Sequence, residues 1–195
     1  MNGKTLEHRS GHLQRGAALI EAAIILPLLM MLAFGGIEFG LAFKESATVA
    51  QASRAGARIA STMPRNDGYL AAARDAVTTA VQGLGHATPV QLWIYKVAPG
   101  TDDSPTGGTC STNCVVYQWS SSTDQFGPTY TGDPWLGSEQ NACVVSGNSS
   151  FPERVGVQVT AQHNFVTALF GGSRTLKSRS VMRVEPYVGE GACSP

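Results

Sequence analysis

The sequence predicts an α+β fold in which a long N-terminal transmembrane helix continues into a small exported domain with an antiparallel sheet. Residues 17–43 form an apolar run that contains only two charged side chains, Glu21 and Glu38. A helical pattern continues through residues 44–63, and strand-like segments recur after residue 90. A chain of 195 residues has room for one membrane helix and one compact domain.

The apolar run is long enough to cross a bilayer. As a helix, residues 17–43 would measure about 40 Å, and the hydrocarbon core is about 30 Å thick. A secretory signal peptide is the alternative, but its apolar core covers only about 7–15 residues and ends at a small-x-small cleavage site. Because this run is longer and begins with Glu21, we predict an anchor that stays in the mature protein.

Residues 1–16 form a basic leader. Lys4, Arg9 and Arg15 outweigh Glu7 there, and positive charge next to a membrane helix favours the cytoplasmic side. We therefore predict a single-pass protein of the bacterial inner membrane, with a cytoplasmic N-terminus and a C-terminal domain in the periplasm or outside the cell.

The exported part, residues 64–195, has signals for both helix and strand. Pro64 is expected to end the helix extension over residues 44–63, and a second helix is predicted for residues 68–84. Four segments rich in β-branched or aromatic residues, or alternating in polarity, predict strands: residues 90–97, 115–119, 155–162 and 175–184. Residues 98–154 are dense in Gly, Ser, Thr, Pro and Asp, which indicates a long loop region.

Composition excludes several kinds of function. The formal net charge is zero and only 14% of residues are charged, so no basic surface for nucleic acid is indicated. The sequence has no Gly-x-Ser-x-Gly, P-loop, His-Glu-x-x-His or acidic calcium loop. We therefore expect a protein that is not an enzyme and that has no cofactor and no metal.

Four cysteines follow the apolar run: Cys110, Cys114, Cys143 and Cys193. An even number of cysteines on the exported side favours disulfides, and four cysteines allow three pairings. Pairing by proximity in sequence would join Cys110 to Cys114 and Cys143 to Cys193. Free buried thiols and a metal site remain alternatives, although the Cys-x3-Cys spacing is not followed by a second close pair.

A candidate processing site lies where the leader meets the apolar run. Gly16 ends the basic leader, Ala17 begins the run, and Glu21 follows Gly16 by five residues. A carboxylate inside an apolar helix costs free energy and therefore calls for a partner or a processing role. The simpler interpretation is that Glu21 lies in the first turn of a helix, where the helix dipole favours a negative charge.

Three residues of the apolar run predict how it bends and packs. Pro27 lacks a backbone N–H and is expected to bend the helix near its start. Gly36 and Gly40 form a Gly-x3-Gly spacing, which allows a second helix to approach closely. A tolerated kink and a chance pair of glycines are the alternatives.

Several short segments together resemble the TadE-like family of the tight-adherence (Flp-type IVb) pilus system. The matching stretches are residues 16–21, Ile25-Leu26-Pro27, Ile37-Glu38-Phe39-Gly40 and residues 52–58, the last containing Arg54-Ala55-Gly56-Ala57-Arg58. The resemblance covers about a quarter of the chain. It implies a minor pseudopilin or pilus-assembly protein that is cleaved after Gly16 by a prepilin peptidase.

The resemblance also implies a set of partners and a role. The partners would be the prepilin peptidase, other pilin-like subunits, the inner-membrane assembly platform and membrane lipid, and the role would be in biogenesis of pili for surface adhesion. Glu21 would pair with the new amine of Ala17 on a neighbouring subunit. Two alternatives remain open: an uncleaved membrane-tethered adaptor or scaffold, and an exported hydrolase or ligand-binding module that uses residues 98–154.

Overall fold

A single helix, α1, covers residues Ser10–Ser61. The structure, a computed structural model, describes residues 10–100, 102–105, 108–143, 152–167 and 171–186, with only the backbone described for residues 10–15. It divides into two compact units, Met1–Leu41 and Ala42–Pro195. We call the second unit the head and describe each unit by itself.

The first unit consists of the apolar part of α1. Its large apolar side chains are exposed; Leu19, Ile24 and Leu32, for example, are each at least 66% exposed. The most apolar 18-residue window of the helix contains no buried residue, and by length and composition the helix could span a membrane. Pro27 lies inside α1, so the helix continues past the position where we expected a bend.

The head contains a five-stranded antiparallel sheet. Its strands are β1 (Ala87–Lys96), β2 (Cys114–Ser120), β3 (Gln125–Asp133), β4 (Arg154–Asn164) and β5 (Ser173–Arg183), in the spatial order β3-β2-β1-β4-β5. The central strands pair over most of their length, with Leu92 opposite Val159 and Tyr117. The α+β class and the antiparallel sheet predicted from the sequence are confirmed.

Two helical segments cover one face of this sheet. The end of α1 and helix α2 (Tyr69–Val81) supply small and β-branched residues to the core, and the inward-facing residues of β1, β2 and β4 supply the other side. Ser53 Oγ lies 3.3 Å from Ser178 Oγ of β5, and Arg74 of α2 lies over the ring of Tyr117. The segment of α1 in the head therefore lies near β5, and α2 lies over β2.

Residues 98–154 contain more regular structure than the sequence analysis indicated. β2 agrees with the short strand expected at residues 115–119, whereas β3 lies where only loop was expected. The sequence does not predict β3 because Gly127, Pro128 and Gly132 weaken the strand pattern of this segment. Gly132 has φ of 106°, and a β-carbon there would overlap the Cys114 carbonyl oxygen, so this kinked edge strand needs glycine.

Residues 134–143 also pack tightly against the turn between α1 and α2. Trp135 is buried, and its carbonyl oxygen accepts a 2.7 Å hydrogen bond from the Tyr69 hydroxyl. The Gln140 side chain accepts from the Arg65 backbone N–H at 2.9 Å. This segment, which contains a short 3₁₀ helix at Gly137–Glu139, is therefore part of the head's core rather than a loose loop.

Candidate functional site

The candidate processing residues lie on the exposed part of α1. Gly16, Ala17 and Glu21 are all exposed and helical, and a β-carbon built on Gly16 would meet no atom within 4 Å. Glu21 and Ile25, one helical turn apart, line a shallow groove of about 330 Å³ on the helix surface, together with Ala18, Ala22, Leu26 and Leu29. The groove gives Glu21 an apolar surround with one carboxylate, a surface suited to a neighbouring apolar helix.

The glycine pair lies further along the same helix. Gly36 and Gly40 are exposed, and a β-carbon at either position would meet no atom within 4 Å. Because residues four apart lie on one side of a helix, the two glycines leave a flat strip where another helix backbone can approach. Association of helices at this strip remains a prediction.

A buried polar cluster joins α1 to the sheet within the head. Glu45 of α1 and His163 of β4 are 2% and 0% exposed at their side chains, and Glu45 Oε2 lies 2.5 Å from His163 Nδ1. The other carboxylate oxygen, Oε1, accepts a hydrogen bond from the His86 backbone N–H at 2.5 Å. One carboxylate therefore ties together the helix, the turn before β1 and the end of β4.

An aromatic ring also packs against His163. The ring of Phe165 lies edge to face with the imidazole, with centroids 5.0 Å apart, and Nε2 is buried without a hydrogen-bond partner among the residues described. No sequence motif marks Glu45 or His163 as a site residue. The signal that was present is the buried stripe of α1, since Glu45 takes a position in line with Val49, Ala52 and Gly56.

Gly56, inside the Arg54–Arg58 motif, lies at a tightly packed point of the head. A β-carbon on Gly56 would lie 2.5 Å from Val77 Cγ2 and 3.0 Å from Val157 Cγ1. Arg54 and Arg58 of the same motif are exposed. The motif thus combines a small residue where α1, α2 and β4 meet with two cations on the solvent side.

A disulfide joins Cys110 to Cys114 at the start of β2, with a Cα–Cα distance of 5.1 Å. This is one of the two pairings expected from proximity in sequence. The other expected pairing includes Cys193, which lies outside the described residues. Among the residues that are described, no three His, Cys, Asp or Glu side chains come together as a metal site.

Removing the Cys110–Cys114 bridge is expected to lower the free energy of unfolding of the head by about 2 kcal/mol, because the bridge closes a short loop in the unfolded chain. The double substitution Cys110→Ser and Cys114→Ser, compared with wild type by urea denaturation, measures this. A change of less than about 0.5 kcal/mol would contradict it. An unchanged fluorescence spectrum would establish that the variant still folds.

The bridge belongs to a segment that covers part of the second face of the sheet. The Tyr95 hydroxyl donates to the Asp103 carbonyl oxygen at 2.7 Å, and Arg154 Nη1 lies 2.6 Å from Asp103 Oδ1.

Burial raises the pKa of two tyrosines of the sheet. The pKa of Tyr95 is raised to about 12, although Arg179 lowers it, and the pKa of Tyr117 is also raised to about 12. Both rings therefore stay neutral wherever the protein is expected to work.

One groove of the head bears on the ligand-binding alternative. It has a volume of about 490 Å³, lies beyond the end of α2, and presents Thr88, Ser121 and Asp124 as hydroxyl and carboxylate groups beside Trp119. Among the described residues that line it, none is a histidine, the kind of base that activates a serine nucleophile.

The sequence model of the TadE-like protein family matches residues 16–58 of the chain, and this family is associated with assembly of the Tad pilus. The match includes Glu21, Pro27, the glycine pair and Gly56, and it ends before α2. No curated protein and no solved structure matched the chain. Residues 16–58 are therefore a TadE-like segment, as the resemblance of their sequence predicted.

Proposed function

We propose that the protein is a minor pseudopilin or pilus-assembly protein that takes part in biogenesis of Flp-type pili for surface adhesion. The single observation that carries this proposal is the combination, on one helix, of the TadE-like match and an exposed apolar surface. Burying an apolar side chain of the size of Leu or Ile stabilises by about 1.5–3 kcal/mol. A helix with this many exposed apolar side chains therefore needs lipid or other apolar helices around it.

The residues at the start of this helix have separate roles in the proposal. Gly16 is the last residue of the leader, and a prepilin peptidase cuts between Gly16 and Ala17. Cleavage creates a positively charged amine on Ala17, and Glu21 of a neighbouring subunit pairs with that amine in the apolar layer. Opposite charges attract more strongly where water is excluded, so cleavage would switch this pairing on.

In this proposal the protein has no catalytic activity and acts through contacts with other proteins. The apolar part of α1 sits in the inner membrane with the N-terminus in the cytoplasm, and the head lies in the periplasm or outside the cell. Its partners are the prepilin peptidase, other pilin-like subunits, the assembly platform and membrane lipid. Gly36 and Gly40 supply the contact strip for one of the neighbouring helices.

The test is the intact mass and N-terminal sequence of the full chain recovered from membranes, in strains with and without a functional prepilin peptidase. A start at Ala17 that depends on the peptidase, with the apolar helix retained, is the expected result. The variant Gly16→Leu should remain uncleaved, whereas Gly36→Leu, a matched change on the same helix, should be cleaved normally.

Two other outcomes would point elsewhere. A chain that begins at Met1 in both strains would contradict processing and favour the second candidate, an uncleaved membrane-tethered adaptor or scaffold protein, which the exposed apolar helix also fits. A chain that begins beyond Phe43 would mean that the helix is removed as a secretory signal, and it would overturn the pseudopilin proposal.

A further inference from the structure

The two edges of the sheet in the head carry opposite charges. In the part of the chain that the structure describes, the sheet ends at β5 on one side and β3 on the other. β5 has four exposed cations and no acidic residue: Arg174, Lys177, Arg179 and Arg183. β3 has no cation and is bounded by two exposed carboxylates, Asp124 and Asp133. One edge of the sheet is therefore basic and the other acidic, although the net charge of the chain is zero.

The outermost charges on the two edges are separated by the same number of residues. Arg174 and Arg183 are nine residues apart, and so are Asp124 and Asp133. The nine residues 125–133 of β3 lie opposite only seven residues, 114–120, of β2, because the pairing is irregular between Tyr117 and Trp119. Asp124 and Asp133 are therefore closer together than nine residues of regular strand would place them. The resulting difference of about 7 Å, at 3.3 Å per residue, is within the reach of an extended arginine side chain.

The direction of the strands lets two copies bring these charges together. Every neighbouring pair in the sheet is antiparallel, so the first and fifth strands, β3 and β5, run in the same direction. A second copy moved sideways without rotation would place its β3 parallel to β5 of the first. Chains inserted in one membrane from one side share a direction, and a shift without rotation preserves that direction.

The charged side chains also lie on matching faces. Arg174 is two residues from Leu176 along β5, and Leu176 packs in the core under the helices. Asp124 lies in the turn before β3 and lines the groove beyond the end of α2 with Val81 and Trp119, so it lies on the side of the helices as well. Side chains alternate between faces along a strand. Arg183 is seven residues from Leu176 and therefore lies on the opposite face. Asp133 lies on that second face too, because it pairs with Cys114, which packs there with Tyr95. In the shifted copy Arg174 and Arg183 would each meet a carboxylate on their own face.

We propose that the heads associate side by side, with the β5 edge of one copy against the β3 edge of the next, Arg174 facing Asp124 and Arg183 facing Asp133. Such a contact uses two different surfaces of the same chain, so it leaves a free edge at each end and can be repeated to form a row. The partner is a second copy of this chain. The inference rests on the proposed function only in requiring neighbours that are anchored in a common membrane.

The test uses a reagent that joins an amine directly to a carboxylate without a spacer. Full chains carrying Arg174→Lys, one batch labelled with heavy nitrogen, are reconstituted together in phosphatidylcholine vesicles, cross-linked and analysed by mass spectrometry. The expected product joins positions 174 and 124 in peptides of mixed isotope content. Arg54→Lys, an exposed position on α1, is the matched control and should give no such product with Asp124.

Charge reversal makes the test specific. In the Arg174→Lys chain, Arg183→Asp places two carboxylates at the second contact and should lower the yield of the mixed-isotope product between positions 174 and 124, and adding Asp133→Arg should restore it with the charges of that contact exchanged. Because ions screen exposed charges within about 3 Å in 1 M salt, the yield of the link in the Arg174→Lys chain should fall about tenfold there. Lys96 and Glu153, 2.5 Å apart in one chain, supply the internal positive control.

Two results would overturn the inference: no mixed-isotope product although the Lys96–Glu153 link forms, or no recovery in the exchanged variant although it folds. Neither result would affect the proposed function, because cleavage and membrane anchoring are measured separately. A chain that is found outside the membrane would contradict the proposed function, and it would also overturn the inference, because the inference requires neighbours that are anchored in a common membrane.

Discussion

Replacing Glu45 with alanine is expected to lower the free energy of unfolding of the head by about 3–5 kcal/mol, the range for a buried pair that loses one partner. The loss is large because the Glu45 carboxylate has two partners, His163 Nδ1 and the His86 backbone N–H, at 2.5 Å each. Without it, His163 Nδ1 is left without a hydrogen bond in a place that water does not reach, and the His86 N–H loses its acceptor. A typical small domain has a stability of only about 5–15 kcal/mol, so the variant should be close to unfolding.

Tryptophan fluorescence during urea denaturation of the full chain in detergent measures this loss. All three tryptophans, Trp93, Trp119 and Trp135, lie in the head, so the apolar part of α1 does not contribute to the signal. Lys44→Ala, at the neighbouring exposed position, is the control and should change the stability by less than about 0.5 kcal/mol. Glu45→Gln, which keeps an acceptor for His86, should fall between the two.

A double-mutant cycle with His163→Ala would separate the pair from the cluster. If Glu45 and His163 act mainly on each other, the double variant should be destabilised by clearly less than the sum of the two single variants. Additive losses would mean that Glu45 acts through His86 instead. A Glu45→Ala variant as stable as Lys44→Ala would contradict the role given to this cluster.

The Glu45 cluster also shows what the sequence could not predict. Glu45 and His163 are 118 residues apart, and nothing in the local pattern around either residue indicates the other. The strands β4 and β5, by contrast, agreed with prediction because alternation of polarity is a local signal. β3 was missed because its glycines and proline have no strand propensity, and it forms because β2 is already in place to pair with it.

The candidate processing site was predicted from local sequence alone, and for a physical reason. In the proposed function, a basic leader, a glycine and an early carboxylate would be recognised by the membrane and by a peptidase without any tertiary structure. The structure adds the groove beside Glu21 and the exposure of Gly16. The charge division between the sheet edges could not be seen in the sequence, because the two edges become opposites only through the order of the strands.

Substituting Gly56 by alanine is expected to destabilise the head by about 1–3 kcal/mol, although alanine favours a helix over glycine by about 1 kcal/mol. The new methyl group would lie 2.5 Å from Val77 Cγ2 and 3.0 Å from Val157 Cγ1, so α1 would have to move away from α2 and β4. The sign of the effect is informative here. Packing must outweigh helix propensity for the prediction to hold.

Gly56→Ala is best measured beside two other variants, again by the fluorescence of the head. Gly36→Ala, on the same helix with no atom within 4 Å of the new group, should leave the unfolding of the head unchanged. In the Gly56→Ala background, Val77→Ala removes the atom that is crowded, so the double variant should be more stable than the two separate losses predict. A stabilised Gly56→Ala variant would show that the three elements can separate at little cost. The glycine of the Arg54–Arg58 motif would then need an explanation other than close packing.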